Sequence, residues 1–140
     1  SKTLVVLELS SFQLNSLKKT QLSPHLAVIT NFSPDHLDYY SSIEDYFQDK
    51  KNIFRFQKTN DYLILNYNDP RVRKLSQEAP SQVYFYGFLK PRKGINLGAF
   101  IQKNSIFYKQ KYELIKTKNL TFPFNQKQYL NNLLAALTVA

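Results

Sequence analysis

Glu8 is the one charged residue in the apolar run TLVVLEL at positions 3–9. A carboxylate there needs a partner, because an isolated charge in apolar surroundings is costly. Two readings are open. If the run is a strand of an open α/β sheet, ligands gather beyond its carboxyl end, and the LELSSFQ turn projects Glu8, Ser10 and Gln13 towards a site. Otherwise Glu8 pairs with a lysine at the sheet rim, while Ser10 or Ser11 caps the next helix.

A histidine follows the second apolar run, in NFSPDHLD at 31–38. Ser33 suits a helix N-cap, Pro34 the first helical position, and Asp35 the positive end of that helix. His36 has no such structural assignment. It sits on a loop at the same rim as Glu8, as either a ligand or a structural histidine.

The segment SSIEDYFQDKKNIFRF at 41–56 reads as a helix, with Ser41 and Glu44 at capping-box spacing. Its apolar stripe is Ile43, Tyr46, Phe47, Ile53 and Phe54. On a wheel of about 100° per residue starting at Ile43, Lys50 falls at about 340°, within the stripe, and Lys51 at about 80°, at its edge. A lysine inside an apolar stripe either snorkels to water or is used chemically, because desolvation favours the neutral amine. A neutral amine can add carbon dioxide to form a carbamate, replacing a cation with metal-binding oxygens. Lys51, at the edge, is expected in solvent. Asn132 lies well off the apolar face of the last helix and reads, from its position, as an exposed polar residue.

The elements that must carry these groups follow from pattern. Residues 4–9, 26–30 and 62–65 are short apolar runs of the kind buried on both faces of a parallel sheet. Helical stretches at 12–17, 43–56 and 71–77 alternate with them. From Gln82 the texture changes to QVYFYGF, GAFIQ, SIFYK and KYELI, with a turn-like KNS at 103–105, which predicts an antiparallel meander. Pro123 and Asn125 introduce a last helix whose Tyr129, Leu130, Leu133, Leu134 and Leu137 keep a helical period. The fold class is therefore α/β: a mostly parallel sheet flanked by helices, with a small antiparallel β meander.

Composition removes several chemistries. The 140 residues suffice for one domain, and none is Cys, Met or Trp. Disulfides, thiolate metal sites and cysteine nucleophiles are excluded. With His25 and His36 as the only imidazoles, a bound metal must rely on oxygen ligands, which suits magnesium rather than zinc. The three glycines, Gly87, Gly94 and Gly98, spell no phosphate-binding loop, so such a loop is expected outside this stretch. No apolar run has the length of a membrane span, and no leader is evident, so neither a membrane nor secretion is expected.

Charge is uneven. Residues 1–70 hold seven basic and eight acidic side chains; residues 71–140 hold twelve and two. A basic module using Tyr84, Tyr86, Phe107 and Tyr108 to stack on single-stranded nucleic acid is one reading. The lysines are scattered along apparent strands, which favours ordinary solvated faces and no nucleic-acid partner.

Several separated motifs, taken in order, resemble the Mur ligase family: VLELSSFQL at 6–14, AVITNFSPDHLDYY at 27–40, the Tyr46, Lys50, Ile53 triplet, LNYND at 65–69 and NLLAAL at 132–137. The resemblance implies a Rossmann-like central ATPase domain, incomplete, with the phosphate loop before Ser1 and a further domain after Ala140. It implies an ATP-dependent ligase of peptidoglycan synthesis in the cytoplasm, monomeric, with this piece inactive alone. The SSFQL segment is similar to members that add D-glutamate to UDP-N-acetylmuramoyl-L-alanine through an acyl phosphate, and argues against a folylpolyglutamate-type ligase.

By the same resemblance, Glu8 would hold the magnesium ion on the ATP phosphates. His36 and a carbamylated Lys50 would hold a second magnesium ion. Ser10 and Gln13 would touch the muramoyl substrate, Tyr46 would support the site, and Asn132 would contact adenine. Gln126, Gln128 and Tyr129 depart from the pattern, standing where Gly, His and Asn are usual.

Overall fold

The computed structural model describes residues 3–33, 39–88, 93–102, 105–110, 113–116 and 127–140. The elements are α1 (Ser11–Thr20), β1 (Leu26–Ile29), α2 (Ile43–Arg55), β2 (Tyr62–Asn66), α3 (Pro70–Lys74) with a 3₁₀ turn at Leu75–Gln77, β3 (Gln82–Gly87), β4 (Leu97–Gln102), β5 (Ser105–Gln110), β6 (Glu113–Lys116) and α4 (Lys127–Val139). They build one six-stranded sheet in sequential order. β1 to β4 pair in parallel, and β4, β5 and β6 in antiparallel fashion.

Alternation along β2 explains its unbroken apolar run. Leu63 and Leu65 enter a core shared with Tyr46 and Phe54 of α2 and Val72 of α3. Ile64 enters a second core with Tyr86, Ala99, Leu134 and Ala135. Both faces are covered, so neither can be polar. α4 approaches the sheet at Gly98, where the space of a Cβ is already taken by the Thr138 side chain. Thr138 Oγ1 accepts from Ala99 N at 2.9 Å and donates to Leu134 O at 2.8 Å, fixing helix to strand.

Several expectations need correction. Residues 4–9 form no strand among the described residues: the segment is irregular, and Leu4, Val5, Val6 and Leu7 are 88%, 68%, 86% and 71% exposed. A doubly buried strand needs a ladder and cover on both faces; here β1 stands at the end of the sheet order and the segment makes no ladder with it. Gln82–Gly87 joins the parallel sheet rather than the meander, because its neighbours are β2 and β4. The cap of α2 is Ser42, which accepts from Asp45 N at 3.1 Å, one residue later than the Ser41 and Glu44 box.

Tyr129 is 52% exposed; the buried line of α4 runs through Leu134 and Ala135. Tyr86 is fully buried and cannot stack on a nucleobase, which removes it from the aromatic set of the nucleic-acid reading. The KN turn at 103–104, Pro34, Asp35, Pro123 and Asn125 lie outside the described residues.

Candidate functional site

A cavity of about 500 Å³ opens at the carboxyl end of β1. Glu8, Thr30, Asn31, Lys50, Gln128 and Asn132 supply its polar lining. Thr30 and Asn31 follow the last residue of β1, Lys50 comes from α2, and Gln128 and Asn132 lie one turn apart on α4. Three residues singled out in separate motifs, Glu8, Lys50 and Asn132, thus face one space. Asn132 is exposed, as its helical position predicts, and it still borders the cavity.

Lys50 is held from below. Its Nζ lies 5.0 Å from the centroid of the Tyr46 ring. That ring is 5% exposed and sits 5.2 Å from the rings of both Phe32 and Tyr40. An aromatic face attracts an ammonium group, so the stack positions the amine. Tyr40 donates to Asp49 Oδ2 at 3.2 Å, and burial, with the nearby Asp49 charge, raises its phenol above the ordinary range. The neutral hydroxyl persists as a donor. Asp49 also accepts from Asn15 Nδ2 at 3.1 Å, which ties α1 to α2.

The expected solvent position of Lys51 is not observed. Lys51 is 8% exposed and donates to both Glu78 oxygens at 3.0 Å. The wheel misses this because α2 is clasped on one side by the turn after Leu75–Gln77, which brings Glu78 over the helix edge. Lys50 faces the cavity, and Lys51 fastens the helix.

Ser10 and Gln13 form the capping box of α1: Ser10 N donates to Gln13 Oε1 at 2.8 Å, and Gln13 N to Ser10 Oγ at 3.4 Å. Neither borders the cavity. His36 lies outside the described residues. Thr30, Asn31 and Gln128 were missed as site residues; the signal for the first two was their place just past a parallel strand.

Among the described residues no group of three or more His, Cys, Asp or Glu side chains converges. Side chains with oxygen atoms in the lining are Glu8, Thr30, Asn31, Gln128 and Asn132, of which Glu8 alone is anionic. The Lys50 ammonium opposes a bound cation, and its carbamate would add two oxygens in the same place.

The Mur ligase middle domain model matches residues 1–140. A UDP-N-acetylmuramoylalanine--D-glutamate ligase from Symbiobacterium thermophilum is 42% identical over 110 residues, covering 79% of this chain and 23% of that protein. The one from Caldanaerobacter subterraneus subsp. tengcongensis is 35% identical over 136 residues, covering 97% of this chain and 28% of that protein. The chain spans about a quarter of the length of these relatives.

Among solved structures, a MurF ligase from Thermotoga maritima in complex with ADP aligns with TM-score 0.56 and 22% identity over 93% of this chain and 30% of that one. A pseudomurein peptide ligase type C from Methanothermus fervidus aligns with TM-score 0.58 and 19% identity over 93% of this chain and 33% of that one. These likenesses carry the fold alone. Family model, sequence relatives and fold agree: the chain belongs to the Mur ligase family, as a middle domain.

Proposed function

We propose that this chain is part of the central, ATP-binding domain of a ligase that joins D-glutamate to UDP-N-acetylmuramoyl-L-alanine. The observation that carries the reading is the meeting of Glu8, Lys50 and Asn132 at one cavity beyond a parallel strand. The names of the sequence relatives support the choice of substrates. In the proposed reaction ATP phosphorylates the muramoyl-alanine carboxylate, the amine of D-glutamate attacks the acyl carbon, and phosphate leaves.

Each residue then has a task. Glu8 offers a carboxylate to the metal on the ATP phosphates. The Lys50 amine, once deprotonated, would attack carbon dioxide and release a proton, leaving a carbamate at the cavity that Glu8 also borders. Tyr46 holds the Lys50 stem in that direction. Asn132 presents both a donor and an acceptor, the pair that recognises an adenine edge. Ser10 and Gln13 border the muramoyl substrate, with the Gln13 carbonyl engaged in the cap and its amide as the group to offer. By the family resemblance, His36 and the Lys50 carbamate would hold a second magnesium ion. Magnesium, when bound, offsets the charge on the phosphates during transfer. The phosphate loop and the domain receiving D-glutamate are assigned to other parts of the polypeptide, and the whole protein to the cytoplasm as a monomer.

The test is D-glutamate-dependent phosphate release by the full-length protein supplied with ATP, magnesium and UDP-N-acetylmuramoyl-L-alanine. Release that falls at least about a hundredfold in Glu8→Gln and Lys50→Ala is expected. Equal release with other amino acids, or none with D-glutamate, would overturn the substrate assignment. Residues 1–140 alone should release no phosphate above background.

A further inference from the structure

Tyr46, Asp49 and Lys50 share one stretch of α2. Residues three and four apart are neighbours on a helix surface, so Tyr46 adjoins both Asp49 and Lys50. Tyr40, two residues before the Ser42 cap, reaches this stretch in two places. Its ring centroid lies 5.2 Å from that of Tyr46, with the planes inclined by 50°, and its hydroxyl donates to Asp49 Oδ2 at 3.2 Å. We propose that Tyr40 is a positioning residue for the Lys50 amine, acting through the Tyr46 ring. The proposal rests on the ligase reading, in which that amine becomes a carbamate.

The need for such a residue follows from the side chain it serves. A lysine stem has many rotamers, and confining the amine to one place costs conformational entropy. The Tyr46 ring, 5.0 Å from Lys50 Nζ, directs the amine only if the ring itself is fixed. Two rings flank it. Phe32 is buried in the core and packs edge-on against Phe47, with centroids 4.5 Å apart, so the core holds it. Tyr40 is only half-buried and is fixed by particular contacts instead.

Those contacts come from two other elements. Phe12 of α1 stacks on Tyr40 with centroids 5.6 Å apart and planes 15° from parallel. Asp49 of α2 accepts the Tyr40 hydroxyl, and the same carboxylate oxygen accepts from Asn15 Nδ2 of α1 at 3.1 Å. Ring and hydroxyl together therefore give Tyr40 one orientation, and Tyr40 passes that constraint to Tyr46. An aliphatic side chain would fill the volume without presenting an offset ring, and the Tyr46 ring would lose one of its two flanks.

The test uses the full-length protein with magnesium. The carbamate forms when the Lys50 nitrogen bonds to the carbon of carbon dioxide and one proton leaves to water. Carbon NMR in isotopically labelled bicarbonate reads it as a signal that is lost in Lys50→Ala. The bicarbonate concentration giving half the maximal signal should rise by about fivefold in Tyr40→Leu, the worth of one aromatic pair. The bicarbonate dependence of D-glutamate-dependent phosphate release should shift with it. Tyr40→Phe keeps the ring and should lie closer to the unsubstituted protein than to Tyr40→Leu. Tyr40→Met, which keeps volume without a ring, takes the place of Tyr40→Leu if that variant does not fold. Lys51→Ala loosens α2 away from Tyr46 and should leave the half-point unchanged. An unshifted half-point in Tyr40→Leu or Tyr40→Met, with the signal present, would overturn the proposal and leave the ligase reading standing. An equal shift in Lys51→Ala would reduce Tyr40 to a general support of the helix and overturn it too. Absence of a Lys50-dependent signal in the unsubstituted protein would remove the carbamate from the ligase reading, and this proposal with it.

Discussion

The Asn66 side-chain amide donates to the Thr30 carbonyl at 2.8 Å, joining the carboxyl end of β2 to that of β1. Tyr86 donates its hydroxyl to the same oxygen at 3.1 Å. Asn66 Oδ1 in turn accepts from Asn68 N at 2.9 Å. Thr30 borders the cavity, so this buried amide fixes part of its wall. Asn66→Ala should destabilise the fold by about 1–3 kcal/mol, because it leaves buried backbone groups short of partners. Urea unfolding measures this. An unchanged midpoint would mean that water replaces the amide at no cost.

The two adjacent lysines of α2 should separate stability from activity. Lys51→Ala removes the pair with Glu78 and the packing of the lysine stem, and should lower stability by about 1–2 kcal/mol. Turnover per folded molecule should be nearly normal. Lys50→Ala should do the reverse, with near-normal unfolding and severe loss of D-glutamate-dependent phosphate release. Short carboxylic acids should restore part of it by supplying oxygens in the vacated space. Normal turnover in a folded Lys50→Ala protein would remove the carbamate from the mechanism.

Gly98→Ala should destabilise the packing of α4 on β4. The added methyl meets the Thr138 side chain, whose hydroxyl is already fixed by Ala99 N and Leu134 O. Overpacking of this kind costs about 1–3 kcal/mol. The double substitution Gly98→Ala with Thr138→Ala should recover part of the loss, which thermal unfolding of the four variants resolves.

Acid should also act at the opposite rim, at low pH. The Lys58 backbone N–H, 2.6 Å away, holds the Asp61 carboxyl below its ordinary range, and His25 Nδ1 at 2.7 Å adds to the effect. Because the folded value lies below the unfolded one, the stabilisation is present above about pH 4 and is lost as pH falls through the folded value. Asp61→Asn should flatten the stability curve in that acid range. Carbon-detected titration of Asp61 gives the direct check, and a midpoint at or above the ordinary carboxylate value would contradict the geometry.

Local pattern was sufficient wherever one residue type had one physical use. The apolar runs of β1 and β2 are doubly covered strands because no polar residue could be tolerated on either face. α2 was legible from its stripe to within one residue of its cap. Glu8 and Lys50 stood out because a charge in an apolar pattern demands a reason. Tertiary structure decided what depends on distant partners. Residues 4–9 have the composition of a strand, yet strand formation needs a neighbour's ladder, which sequence pattern does not supply. Gln82–Gly87 became parallel because of what lay beside it, not because of its own residues. Lys51 and Lys50 differ by one step on a helix wheel. Only the arrival of Glu78, from a turn 27 residues away, made one a fastener and left the other facing the cavity.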